Sequence, residues 1–340
     1  MKVQVTLSYE LEDAIPAVTV ENPLVLPRIR RPDPSQTTDR PVRRVVQSHR
    51  QVEGAGFEVW RPFPGAISLA DADPFLLLDQ LGPLVNGPAE AAGAPWHPHR
   101  GFETVSYVMD GEISHHDTNG GGGVIAEGDT QWMTAGSGIL HDELPTERMY
   151  RFGGPAHAVQ LWVNLPRSLK LSTPRYQAIT RDDLLLLTSD DGGALLRLIA
   201  GNITDYQGPG VTHTPITYVH ATIAPGAQLS VPWSPQFNAM VYELSGQGVA
   251  GPQQRLIRDH QLVEFGPGDN IVLRAADRMA GGWDALDVLL LGGLPIREPI
   301  AHYGPFVMNS RDEITQAITD YQAGRLGIIP ADQMAPRRYS

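Results

Sequence analysis

Short apolar runs separated by glycine, proline and aspartate fill the chain from about residue 41 onwards. Examples are FETVSYVM at 102–109, AHAVQLWV at 156–163 and MVYELS at 240–245. Such runs are shorter than typical helices, and turn residues recur at intervals of roughly ten residues, which is typical of strands in a barrel or sandwich. The pattern therefore predicts an all-β fold for most of the chain.

The two halves of this β-rich region resemble each other. YVMDG at 107–111 corresponds to YELSG at 242–246, and GDTQWM in the first half corresponds to GDNIVL in the second. A repeat at similar spacing indicates a duplicated unit, and 340 residues are enough for two domains. We therefore expect a first barrel over residues 41–168 and a second over residues 169–340.

Residues 1–40 lack this pattern. The alternation from Val3 to Tyr9 predicts one short strand. Six prolines then fall between Pro16 and Pro41. We expect this segment to be an N-terminal extension with little regular structure of its own.

The last part of the chain predicts a short helix. Ser310 and Glu313 form the Ser-x-x-Glu pattern that begins many helices, and Gly324 is the kind of residue that ends them. Between them, apolar residues recur with the helical spacing i, i+3, i+4, i+7. These residues are Ile314, Ala317, Ile318 and Tyr321. We expect this face to pack on a barrel.

Composition excludes several kinds of function. With 26 Lys+Arg against 38 Asp+Glu, the net charge is −12, so the chain lacks the basic surface that nucleic-acid-binding proteins use. It has no Cys, which excludes disulfides and thiolate metal sites. It also has no apolar run of membrane-spanning length and no signal-peptide pattern. We expect a cytoplasmic protein that contacts neither nucleic acid nor membrane.

Two pairs of metal-ligating residue types lie in the first half. His97 and His99 are two residues apart, and so are His141 and Glu143. In a strand, residues i and i+2 point to the same face, so neighbouring strands could aim all four side chains at one point. By contrast, His115 and His116 are adjacent and would face opposite sides, so we expect them to lie at the surface or beside the ligands and not to bind the metal themselves.

Three imidazoles and one carboxylate suit Fe(II), Mn, Co, Ni, Cu or Zn, and they leave two positions open on an octahedral metal. The second half serves as an internal comparison. Pro232, Ser234, Gly281 and Trp283 stand at the equivalent positions. None of these side chains replaces an imidazole or a carboxylate, so barrel formation does not require ligands there, and we expect the second barrel to bind no metal.

Four longer motifs resemble those of the pirin family. They are HPHRGFETVSYVMDG at 97–111, GDTQWMTAGSGILHDE at 128–143, AVQLWVNLP at 158–166 and REPIAHYGPFVMNS at 297–310. Pirins are bicupins with one metal in the N-terminal barrel. The resemblance implies an all-β fold of two cupin-type β-barrels with a short C-terminal helix. It implies His97, His99, His141 and Glu143 as ligands, with iron as the native metal.

Glu103 is an alternative carboxylate ligand. It lies four residues after His99, where many other cupins carry their carboxylate, and strand parity would make it face inward. The pirin pattern favours Glu143 as the ligand and leaves Glu103 beside an imidazole, where it would orient the ring.

The resemblance implies two functions of different classes. Some pirins resemble quercetin 2,3-dioxygenases, which open a flavonol ring with O₂. In that case the metal would polarise the 3-hydroxyl of a small aromatic substrate, Glu143 would accept its proton, and Phe102 and Trp132 would form pocket walls. Other pirins are linked to regulation, which would make this chain a redox sensor that binds a protein partner. A barrel with a functionless metal site is disfavoured, because all four ligand positions are filled.

Overall fold

The computed structural model describes residues 25–279 and 281–333. The strand predicted from Val3 to Tyr9 lies outside these residues. In chain order, the strands of the first half are β1 Arg28–Ile29, β2 Val42–Gln47, β3 His49–Glu53, β4 Phe57–Phe63, β5 Phe75–Asn86, β6 Ala94–His99, β7 Phe102–Asp110, β8 Glu112–Asp117, β9 Gly122–Ala126, β10 Thr130–Thr134, β11 Ile139–Pro145 and β12 Gly154–Asn164.

Strands also dominate the second half. They are β13 Arg175–Ile179, β14 Leu185–Ser189, β15 Ala194–Ala200, β16 Asn202–Ile203, β17 Tyr206–Gln207, β18 Ile216–Ile223, β19 Gln228–Pro232, β20 Met240–Ser245, β21 Gln247–Ala250, β22 Arg255–Arg258, β23 Gln261–Phe265, β24 Asn270–Ala275, β25 Leu286–Gly293, β26 Ala301–Tyr303 and β27 Phe306–Met308. The helices are α1 Leu69–Ala72, α2 Glu147–Phe152 and α3 Arg311–Gln322, with short 3₁₀ turns at Arg167–Leu169, Arg181–Asp183 and Ala331–Gln333.

Each barrel combines one large and one small sheet. In the first barrel a seven-stranded sheet has the order β13-β10-β7-β12-β5-β4-β3, and a four-stranded sheet has the order β6-β11-β8-β9. In the second barrel an eight-stranded sheet has the order β1-β14-β15-β18-β25-β20-β23-β2, and a four-stranded sheet has the order β19-β24-β21-β22. The prediction of an all-β fold of two cupin-type barrels is confirmed.

The two halves exchange strands. β2, near the start of the first half, pairs with β23 of the second barrel, and β1 pairs with β14. In return, β13 pairs with β10 of the first barrel. The strands next to both predicted boundaries thus belong to the opposite barrel. We propose residues 41–168 and 169–340 as the two domains, with these strands exchanged between them. The exchange could not be predicted, because sequence periodicity does not reveal which sheet a strand joins.

Two large apolar cores stabilise the barrels. One lies between them and joins residues of the first barrel, such as Val105 and Leu161, to Tyr218 and Leu289 of the second. The other fills the interior of the second barrel with aliphatic side chains from both of its sheets. Burial of apolar area at about 25 cal/mol per Å² makes such cores the main source of stability.

The C-terminal helix forms as predicted. The Ser310 hydroxyl accepts a hydrogen bond from the backbone N–H of Glu313, and the Glu313 carboxylate accepts one from the backbone N–H of Asn309. Ile314 and Ala317 are buried in a cluster with Leu140 of β11, so the helix packs on the first barrel. No helix among the described residues combines the length and apolarity that a membrane crossing requires.

A charged contact also docks α3. Asp320 Oδ2 accepts a hydrogen bond of 2.7 Å from Arg100, which directly follows β6, and Asp320 Oδ1 accepts hydrogen bonds from Arg325 and Gln316. The hydrogen bonds from Arg100 and then Arg325 lower the pKa of Asp320 to about 2. The ionised carboxylate therefore stabilises the folded chain.

We expect Asp320→Ala to destabilise the protein by about 2 kcal/mol at pH 7, because it leaves the buried Arg100 without its anionic partner. The folded-state pKa lies below the ordinary value of 3.8, so this contribution is complete above about pH 4 and is lost as the pH falls towards 2. Urea unfolding of both proteins across this range measures the difference. Asp182→Ala, at a side chain that is 93% exposed, is the control. A difference in the free energy of unfolding that does not change with pH would contradict a stabilising role for the ionised Asp320 carboxylate.

Candidate metal centre

The pairing of β11 with its two neighbours brings the histidines together. His141 lies opposite His97 of β6 and opposite Asp117 of β8, and Glu143 lies opposite His115 of β8. Cross-strand partners share a face, and so do residues two apart. One face of the small sheet therefore carries His97, His99, His115, Asp117, His141 and Glu143.

Three imidazoles form a compact group. One nitrogen from each of His97, His99 and His141 lies within 4.8 Å of the other two. The Nε2 atoms of His97 and His99 are 3.1 Å apart. Their Nδ1 atoms are directed at the carbonyl oxygens of Pro95, at 2.8 Å, and Pro305, at 3.3 Å. A proton on Nδ1 satisfies each carbonyl and leaves Nε2 free to bind a metal.

The surroundings keep the rings of His99 and His141 neutral. Burial lowers the pKa of both His99 and His141 well below its usual range, and the neighbouring imidazoles add to this effect. Neutral imidazole is the form that binds metals. His141 Nε2 is buried without a hydrogen-bond partner among the described residues, which is costly unless something else satisfies it. A borderline divalent transition metal fits this donor set.

Glu143 lies beside this group and not within it. Its carboxylate belongs to a second set with His115 and His141, whose candidate ligand atoms also lie within 4.8 Å of one another. Ser106 Oγ donates to Glu143 Oε1 at 2.8 Å, and Gln160 Nε2 donates to Oε2 at 2.8 Å. These two bonds hold the carboxylate in place. Its role as the fourth ligand stays a prediction.

The expectation that Glu103 faces the histidines is wrong. β6 ends at His99 and β7 begins at Phe102, so one pattern of alternation does not run through both. Gly101 separates the strands with a φ of +93°, and a Cβ atom there would lie 2.0 Å from the carbonyl oxygen of Val307. The break reverses the parity, so Phe102 faces the histidine side.

Glu103 instead lies on the opposite face of β7. It shares this face with Val105 and Tyr107, which pack in the core between the barrels. Thr134 donates a hydrogen bond of 2.6 Å to Glu103 Oε1, and burial raises the pKa of the Glu103 carboxyl. Glu103 therefore contacts the core between the barrels and not the imidazoles.

His115 was not among the predicted site residues, although it lies beside His141. The ring is fully buried, and its Nδ1 accepts a hydrogen bond of 2.7 Å from the amide nitrogen of Gln131. The same Nδ1 lies 3.4 Å from Nδ1 of His141, and the two ring centroids are 5.0 Å apart, so the His115 ring packs against that of His141. The missed signal was the spacing of His115 and Asp117, which are two residues apart like the other pairs.

A cavity of about 590 Å³ opens beside the imidazoles. His97, His99 and Glu143 line one end, and Trp96 and Trp162 are among the aromatic residues of its walls. Its volume is in the range of small-molecule sites.

The expected wall residues Phe102 and Trp132 are not among the described residues that line this cavity. Phe102 lies behind the wall, with its ring 4.3 Å from that of Trp162 and 5.1 Å from that of His99. Trp132 packs in the core between the barrels, because it lies opposite Val105 and shares its face. The alternation of side chains along one strand does not show which of its two faces lines the cavity.

Comparison with known proteins agrees with this architecture. A family model described as Pirin matches residues 56–163, and one described as the Pirin C-terminal cupin domain matches residues 218–327. A Pseudomonas aeruginosa protein whose name assigns it provisionally to the quercetin 2,3-dioxygenases is 40% identical over 279 residues, which cover 82% of this chain and 95% of that protein. Mouse pirin is 38% identical over 285 residues, 83% of this chain and 92% of its own.

A solved structure is also similar over most of the chain. The crystal structure titled quercetin 2,3-dioxygenase from Acinetobacter baumannii has a TM-score of 0.79 and 35% sequence identity. The match covers 86% of this chain and all of the other. The likeness therefore extends across both barrels.

We expect Glu143→Gln to weaken metal binding by at least about tenfold, because the amide removes a negative charge beside the imidazoles. Glu103→Gln is the matched control and retains the metal, since Glu103 lies on the far face of β7. Metal analysis by mass spectrometry should give about one ion per wild-type chain. Loss of metal from Glu103→Gln alone would show that the two carboxylates were assigned the wrong way round. A second ion that survives His97→Ala would refute a metal-free second barrel.

His115→Leu should lower metal affinity by about 10- to 100-fold, because His141 then loses the neighbour that orients its ring. His116→Leu, one residue away on the other face of β8, is the control. Competition with a chromophoric chelator measures both affinities. Equal affinities in the two variants would rule out this role for His115.

Proposed function

The chain belongs to the pirin family, and from this premise we propose that it is a metal-dependent dioxygenase of the quercetin 2,3-dioxygenase type that acts on flavonol-like substrates with O₂. The proposed ligands are His97, His99, His141 and Glu143. Fe(II) is the proposed native metal, and Mn, Co, Ni, Cu and Zn are alternatives that the same donors accept. The observation that carries the proposal is the cavity with aromatic walls that opens directly beside the imidazoles.

When bound, the metal supplies Lewis-acid and redox chemistry. The protein supplies position and proton transfer. Glu143 accepts the proton of the substrate hydroxyl, and the hydrogen bonds from Ser106 and Gln160 hold its carboxylate at the cavity wall for this step. Trp96 and Trp162 offer flat apolar surfaces to an aromatic ring and exclude water from the reacting end.

The cavity favours this function over the redox-sensing alternative. A sensor that signals to a protein partner needs a change of charge near the surface, and it does not need an apolar chamber beside the metal. Here two of the three imidazoles line a chamber large enough for a small molecule. A protein partner is compatible with the fold, but no contact among residues 25–279 and 281–333 favours one.

Oxygen uptake tests the proposal. Protein loaded with Fe(II) under anaerobic conditions should consume O₂ when quercetin is added, with a matching loss of flavonol absorbance. His97→Ala should retain the far-UV circular dichroism spectrum of the fold and lose the uptake, while His116→Ala, on the opposite face of β8, keeps it. Uptake by His97→Ala equal to that of wild type, or no uptake with any of the metals named, would refute the proposed function.

A further inference from the structure

A row of polar residues crosses the floor of the cavity. Gln160 of β12 lies opposite Ser106 of β7 and opposite Asp79 of β5. Arg61 of the next strand, β4, continues the row, because its guanidinium pairs with the Asp79 carboxylate. Neighbouring strands lie about 4.8 Å apart, so the row runs on the order of 14 Å from Ser106 to Arg61. The metal end of the cavity is thus joined to a second polar end.

The second end is a charged cluster built around Arg61. Its Nε donates to Asp79 Oδ1 at 2.6 Å, its Nη2 donates to Asp79 Oδ2, and Nη2 lies 2.6 Å from Oε1 of Glu53. Arg61 and Asp79 are buried, while the Glu53 side chain is 33% exposed. All three line the same cavity as His97.

Two polar groups of this cluster have no partner among the described residues. Arg61 Nη1 makes no hydrogen bond, although Nε and Nη2 do. Glu53 Oε1 accepts a bond from Gln51 and pairs with Arg61, whereas its Oε2 accepts none. A donor and an acceptor therefore remain free at one end of the cavity.

The charge of the cluster selects among ligands. One guanidinium and two carboxylates sum to −1 when ionised, and the bidentate pair with Asp79 already matches the charge of Arg61. An anionic group would meet excess negative charge there. A neutral hydroxyl suits the site, because it can donate to Glu53 Oε2 and accept from Arg61 Nη1.

Apolar side chains flank this polar row. Val59 lies opposite Leu81 on one side of the row and Leu77 lies on the other, and both rows line the cavity together with Phe57 and Trp96. Such walls fit the body of a flat aromatic molecule that carries polar groups at both ends.

We propose that Glu53 and Arg61 recognise ring hydroxyls of the substrate at the end remote from the metal, and that this end selects polyhydroxylated over unsubstituted flavonol-like molecules. The inference rests on the proposed function for the kind of substrate. Glu53 and Arg61 contribute to substrate affinity and selection, and they do not take part in the chemistry at the imidazoles.

Binding by two flavonols tests this inference without turnover. Quercetin carries ring hydroxyls in addition to the 3-hydroxyl, and 3-hydroxyflavone lacks them. Isothermal titration calorimetry of metal-loaded wild type under anaerobic conditions should show quercetin binding about tenfold more tightly, as expected for hydrogen bonds to charged groups. In Glu53→Gln the preference should fall at least about threefold, because the acceptor loses its charge.

Two further variants complete the experiment. Glu58 lies on β4, the same strand as Arg61, and forms an exposed ion pair with Arg50 of β3. Glu58→Gln removes this carboxylate and should leave the preference for quercetin unchanged. Arg61→Lys keeps the positive charge but removes the fork that holds Asp79, and it should reduce the preference as Glu53→Gln does.

Each outcome separates the inference from the proposed function. Equal affinity of wild type for the two flavonols, or a preference retained in Glu53→Gln, would overturn the inference even if O₂ uptake occurs. A preference lost only in Glu53→Gln and Arg61→Lys, without O₂ uptake by wild type, would support this recognition end and refute the dioxygenase.

Discussion

The position of β11 between β6 and β8 is the constraint on which the rest of the site depends. This register places His141 opposite both His97 and Asp117, so residues from three strands share one face. A shift of one residue would turn His141 and Glu143 to the other face, because side chains alternate with a period of two. The candidate ligands are therefore held together by the backbone pairing between these three strands.

The two barrels use their interiors differently. Aliphatic side chains fill the second barrel, and a further apolar core joins it to the first. The interior of the first barrel holds imidazoles and carboxylates beside a cavity. Burying these polar groups costs free energy unless each of them is paired. Apolar burial elsewhere offsets this cost. A duplicated fold can thus keep one unit for stability and use the other for chemistry.

The site also depends on the far end of the chain. The carbonyl oxygen of Pro305 faces Nδ1 of His99, and residues 302–307 include several that line the cavity. The buried Lys170 ammonium ties this segment to the first barrel through the carbonyl oxygens of Gly101 and Val307. α3 then docks beside them through Arg100. The first half alone would therefore present an incomplete site.

The sequence by itself determined the all-β class, the duplication, the C-terminal helix and the histidine pairs, because each depends on local periodicity or on residues within one turn or strand. Only the tertiary structure decided the exchange of β2 and β13, the orientation of Glu103 and Trp132, the contribution of His115 and the polar end at Arg61. These features depend on which strands pair and in what register, and on the break at Gly101 that reverses the alternation. Side-chain spacing along one strand carries no information about the partner strand, so contacts between distant segments become known only when the sheets have formed.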